Sequence, residues 1–191
     1  MNKQKLTWFL QSFVAIPMVI ATSPLTSLTP SVSPTVAPSH IIAPNEASVI
    51  TTQETKIREK HAEEIDKFLA SYHSPLTGLG MKFVTEAEKN NIDYRLLVAI
   101  AGRESTFGLN SCKGATNSFL GYGSCKINFK SPEEAIERVS ASLGGNNENT
   151  KIHYAGKNTV QILRNYNSII PNYPEEVIEI MKSIDNTEKI A

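Results

Sequence analysis

The stretch Asp93-Tyr94-Arg95-Leu96-Leu97-Val98-Ala99-Ile100-Ala101-Gly102-Arg103-Glu104-Ser105-Thr106-Phe107-Gly108 decides the fold. Leu96, Leu97, Ile100 and Ala101 fall one, three and four apart, the period of a helix with a buried face. Asp93 offers a side-chain oxygen to the first free N–H groups of that helix, and Gly108 offers its stop. Glu104 follows Leu97 by seven and Ile100 by four, so it projects from the same apolar stripe. Desolvation of a carboxylate there favours its protonated form, which is the form a general acid holds ready. A structural carboxylate at a helix end, paired with Arg103 or Arg95, is the other reading. Termination at Ser105-Thr106-Phe107-Gly108 places Glu104 near an exposed mouth rather than deep in a core.

Outward from this helix the pattern stays helical. Ile57, His61, Ile65, Phe68, Leu69 and Tyr72 mark one face of a helix over 51–73, with Lys56, Arg58, Glu59, Glu63 and Lys67 opposite. His61 reads as a boundary residue of that face. It has no partner at metal-ligand spacing, and the chain calls for no metal and no cofactor. Ser74-Pro75 predicts the opening of a second helix carrying Leu76, Leu79, Phe83, Val84 and Ala87, ended by Asn90-Asn91. Ser131-Pro132-Glu133-Glu134 predicts a capping box for a helix bearing Ala135, Ile136, Val139 and Leu143, stopped by Gly144-Gly145. Two more helices fit 159–166 and 174–184. No segment sustains period-two alternation, so the expectation is an all-α domain over 74–185, with a short tail at 186–191.

The rest of the chain speaks to compartment. Lys3 and Lys5 precede an apolar run from Leu6 to Ala21, the layout of an export signal; the run is short for a span of about 20 residues. Residues 1–21 are therefore expected to be a signal peptide or membrane anchor, through which the chain could attach at residues 6–21. From 22 to 50 Ser, Thr and Pro dominate, which predicts a disordered, extended spacer. An extracytoplasmic domain, secreted or anchored, is the expected product. In an oxidising compartment Cys112 and Cys125 are expected to form a disulfide across the loop between the Glu104 helix and the Ser131 helix. With 19 basic and 19 acidic side chains the chain has no field to draw a phosphate backbone, which argues against a nucleic-acid partner.

The stretch from Asp93 to Gly108 resembles the catalytic helix of lysozyme-like peptidoglycan glycosidases, the group of lytic transglycosylases and bacterial endo-β-N-acetylglucosaminidases. There an apolar helix ends in Glu-Ser-x-Phe-Gly. Asn117-Ser118-Phe119-Leu120-Gly121-Tyr122-Gly123 resembles the asparagine, aromatic and glycine-rich loop that lines the sugar groove of the glucosaminidases, with Leu120 as an extra residue. Phe129 and the Ser131 helix start resemble the segment that follows. The likeness spans about 74–184 and is strongest over 93–140. It implies a lysozyme-like helical domain, glycan strands of peptidoglycan as partner, and Glu104 as catalytic acid. It also implies Asn117, Phe119 and Tyr122 as substrate-binding residues. Arg164-Asn165-Tyr166-Asn167-Ser168 resembles the Tyr-Asn segment of transglycosylases and adds Tyr166 to that set.

Glycosidases generally pair two carboxylates. Here Glu133, Glu134 and Glu137 fall on the next helix, where a solvated face and the positive helix start account for them. One carboxylate then acts alone: Glu104 protonates the glycosidic oxygen and afterwards deprotonates a sugar hydroxyl, giving an anhydro product, or activates a water. A wall-binding or surface module that keeps the fold without turnover is the alternative.

Overall fold

The computed structural model describes residues 46–186, all within one compact unit. Among them the chain forms seven α-helices and no strand: α1 (Glu46–Ser71), α2 (Gly80–Lys89), α3 (Leu96–Ser105), α4 (Pro132–Leu143), α5 (Lys151–Tyr154), α6 (Thr159–Tyr166) and α7 (Tyr173–Asp185). The all-α expectation holds for this region. The export segment at 1–21, the spacer as far as residue 45 and the tail from 187 lie outside the described residues. No described helix is long and apolar enough to cross a membrane.

α3 is the axis of the fold. Leu96 through Ala101 are apolar on every side of the helix and are all 2% exposed or less, which is the condition of a helix enclosed all round rather than on one stripe. Its main partner is α7; α1 packs on α2 and α7, α2 on α4, and α6 on α7. One core joins Ile65, Phe68 and Leu69 of α1 with Phe83 and Val84 of α2, Ile136 of α4, Leu163 of α6 and Ile184 of α7. Burying one such side chain contributes about 1.5–3 kcal/mol.

Several boundaries differ from the sequence reading, each for a local reason. α1 begins at Glu46, so the last five residues of the expected spacer are helical. Ile57 of its expected face is 55% exposed, because α1 meets the core only from Ala62 onward, and Tyr72, just past the helix end, is 44% exposed. His61 stacks flat on Tyr94, ring centroids 3.9 Å apart, as a boundary residue. The helix expected from Ser74 starts only at Gly80. Ser74 Oγ donates to the Phe107 carbonyl oxygen at 2.7 Å and accepts from Leu76 N at 3.0 Å, while Asp66 Oδ1 accepts from Gly78 N and Gly80 N at 2.7 and 2.9 Å. These bonds hold 74–79 as a turn pinned to α1 and to the end of α3.

Asp93 caps a turn just ahead of α3, accepting from Arg95 N at 2.9 Å, and α3 itself starts at Leu96. The stop comes earlier than Gly108: Thr106 and Phe107 already have φ of 51° and 55°. Phe107 N closes the end on the Ala101 carbonyl oxygen at 3.0 Å, a bond typical of left-handed helix ends. Gly102 makes this possible, since a Cβ there would lie 2.4 Å from the Phe107 ring. The capping box of α4 is half made. Ser131 Oγ accepts from Glu134 N at 3.3 Å, but the Glu134 carboxylate accepts from Lys130 N instead of Ser131 N. The four-residue α5 was not expected, being too short to show a period. α6 carries a reciprocal box, Asn158 with Gln161.

Between α3 and α4 runs a long loop without regular structure, a length usually reserved for function. Cys112 and Cys125 are bonded across it, Cα to Cα 5.7 Å. In the chain-entropy account, a closed loop of this size stabilises by about 3 kcal/mol. The Cys112→Ser/Cys125→Ser protein is expected to unfold at lower urea by an equivalent shift, and added dithiothreitol to move the native midpoint the same way. A midpoint indifferent to both changes would remove the disulfide from the stability of the fold.

Candidate active site

α3 delivers Glu104 to the floor of an open cleft of about 610 Å³. The loop after α3 forms one wall through Gly121, Tyr122 and Ile127. The other is built by Tyr154 of α5, Tyr166 of α6 and the Asn167–Ile169 segment. Four of the chain's six tyrosines, Tyr122, Tyr154, Tyr166 and Tyr173, gather around one carboxylate.

The carboxyl group of Glu104 is held from two sides. Oε1 accepts from the Tyr173 hydroxyl at 2.7 Å. Oε2 lies against the backbone of Gly121, where a Cβ would come within 2.5 Å of it. Gly121 also has φ of 69°, so two independent demands meet in one glycine. The ion pairs open to Glu104 on sequence grounds are not made. Arg103 pairs with Glu176 and Arg95 with Asp93 and Asp185. Among the described residues lining the cleft, Glu104 is the one charged side chain. Glu134 and Glu137 pair with Arg138 and Lys82, and Glu133 is exposed, its carboxyl held below the usual range by the Ser131 hydroxyl.

The phenols are kept as neutral donors. Burial and then the hydrogen bond to Glu104 push the Tyr173 phenol far up. Burial likewise raises Tyr166 well above its ordinary value, with the charges of Tyr173 and Glu104 adding to it. Burial and the neighbouring Tyr122 push Tyr154 up to about 12.

Of the residues expected at the site, the structure brings Glu104, Tyr122 and Tyr166 to the cleft. Phe119 is not on its wall: it is 2% exposed and belongs to the core, because the loop turns it inward beside the fully buried Leu120. Asn117 lies off the cleft as well. Its φ is 51° and its Nδ2 donates to the Phe129 carbonyl oxygen at 2.9 Å, which closes the base of the loop. Tyr166 presents its ring, stacked at 17° and 6.1 Å from Tyr173, but its hydroxyl donates to the Leu120 carbonyl oxygen at 2.6 Å. The hydroxyl on the acid comes instead from Tyr173, a residue the sequence reading passed over. Its position at the head of α7, before Pro174, marks a helix start and gives no sign of what its hydroxyl meets 69 residues back. Tyr154 and Gly121 were missed too, although Gly121 sits in the quoted loop. Cys125 lines the cleft, so the disulfide fixes this wall directly.

Comparison of the chain with protein-family models, with curated proteins and with solved structures finds no match.

Proposed function

We propose that this domain is a lysozyme-like glycosidase that cleaves the glycan strands of peptidoglycan, with Glu104 as its general acid and base. One observation carries the reading: a half-buried glutamate, with no cationic partner among the described residues, stands among phenols and backbone at the floor of an open cleft. Clefts that bind sugars need rings and hydroxyls for the faces and edges of the ligand, and Tyr122, Tyr166 and Ser168 supply them. The ending Glu104-Ser105-Thr106-Phe107-Gly108 on a buried helix supports the same family.

In this mechanism the protonated Glu104 gives its proton to the glycosidic oxygen as the bond to the anomeric carbon breaks. The resulting carboxylate takes a proton from the hydroxyl that attacks that carbon. If the hydroxyl belongs to the same sugar, the product is an anhydro sugar; if it belongs to water, the product is a reducing end. The Tyr173 hydroxyl orients the carboxyl throughout, and the backbone of Gly121 limits its swing. We place the domain outside the cytoplasmic membrane, with residues 1–21 as signal or anchor; the Cys112–Cys125 bond supports an oxidising compartment.

The test is release of muropeptides from purified peptidoglycan by the chain from Glu46 onward, read by mass spectrometry. Products one water lighter than hydrolysis products are expected. A folded protein that binds the sacculi and releases nothing would replace this reading with that of a wall-binding module.

A further inference from the structure

Tyr154 has no task in the mechanism above, yet its placement is specific. The residue is 8% exposed. The hydroxyls of Tyr166 and Tyr173 are spent on Leu120 and Glu104, whereas that of Tyr154 meets no protein group among the described residues. It is also not one of the buried atoms sealed from solvent, so it opens into the cleft whose wall Tyr154 forms. The residue is held there firmly, because Asn165 of α6 donates to the carbonyl oxygen of the preceding His153. A phenol raised to about 12 stays a donor across the neutral range.

The surroundings limit what that acceptor can be. Glu104 is the one charged side chain among the described residues that line the cleft. Among the described residues that line the cleft there is no cation to pair with a carboxylate. A carboxylate entering here would give up water and find no cation, while an amide carbonyl or a hydroxyl would give up far less.

We propose that Tyr154 is a ligand-contacting residue: its hydroxyl donates to an uncharged oxygen of a sugar seated against the Tyr122–Tyr154 side of the cleft, and this subsite disfavours sugars carrying a carboxylate. The inference rests on the glycan reading of the cleft. It is tested by calorimetric titration of the full chain bearing Glu104→Gln. One probe is the uncharged tetramer of N-acetylglucosamine. The other is a peptide-free tetrasaccharide of alternating N-acetylglucosamine and N-acetylmuramic acid, which bears lactyl carboxylates. The uncharged probe is expected to bind about tenfold more tightly than the charged one. Adding Tyr154→Phe, which keeps the ring, should weaken the uncharged probe by about tenfold with the melting temperature unchanged. Equal affinity with and without the Tyr154 hydroxyl overturns the proposal, as does equal affinity for the two probes. Absence of binding to either probe overturns it whether or not the wild-type protein cleaves peptidoglycan. Tyr154-dependent binding in a chain that cleaves nothing sinks the glycosidase reading and leaves this contact standing.

Discussion

On the glycosidase reading, Glu104→Gln is expected to abolish muropeptide release and to leave the fold in place. Glutamine has the shape of glutamate, and its amide oxygen can still accept the Tyr173 hydroxyl that reaches Oε1 at 2.7 Å. The packing of Leu97 and Ile100 on the same stripe is untouched, so the melting curve should barely move. What disappears is the proton. An amide neither gives one to the glycosidic oxygen nor takes one from the attacking hydroxyl. General acid–base catalysis contributes about 10²–10⁴-fold. The loss here belongs at the upper end or beyond, because no other carboxylate lines the described cleft to share the task. Initial rates and circular dichroism melting, measured on the same samples, read the two effects separately. Wild-type release by the folded variant would end the assignment of Glu104. A lowered melting temperature with normal turnover per folded molecule would make it a structural carboxylate.

Gly121→Ala is expected to displace the Glu104 carboxyl directly. Its Cβ falls 2.5 Å from Glu104 Oε2 and 3.0 Å from Cδ, well inside contact distance, so the carboxyl or the loop has to shift. The left-handed backbone adds a cost of about 1–2 kcal/mol for any L side chain. A misplacement of about 1 Å at a catalytic group is commonly worth about 10²-fold in rate, and that is the loss expected in kcat. Gly114→Ala is the matched control. It lies in the same loop, has ordinary φ, and a Cβ there meets nothing within 4 Å, so neither rate nor stability should change. If Gly121→Ala cleaves as fast as Gly114→Ala, the carboxyl is not held by that backbone.

Much of this was legible before any coordinates. The helix from Leu96 to Ser105 announces itself through its apolar residues and its terminal Gly108, and Glu104 stands out because a carboxylate interrupts that pattern. The helices at 132–143 and 173–185 were readable from Ser131, Gly144 and Pro174, since caps and stops act within one turn of sequence. The start of α2 was not, because the donors that would have opened a helix at Ser74 are taken by Asp66 and Phe107, partners far along the chain. The same limit applies to the site. Phe119 and Tyr122 are both aromatic, three residues apart in one irregular loop, and nothing local says that the first turns inward and the second outward. Tyr173 meets Glu104 only because α7 lies along α3. Contacts made by tertiary packing leave no period to read.

The distance along the chain between Glu104 and Tyr173 also sets an order in time. Chains emerge from the ribosome N-terminus first, at about 5–20 residues per second, so the acid is synthesised several seconds before the hydroxyl that orients it. During that interval α3 lacks α7, its main partner, and Leu120 has no Tyr166 to draw the cleft loop inward. The nascent protein therefore carries Glu104 before the partner that orients its carboxyl. That partner arrives with α7, the last of the described helices, and a chain released short of Tyr173 loses orientation of the Glu104 carboxyl and closure of the core in the same stroke.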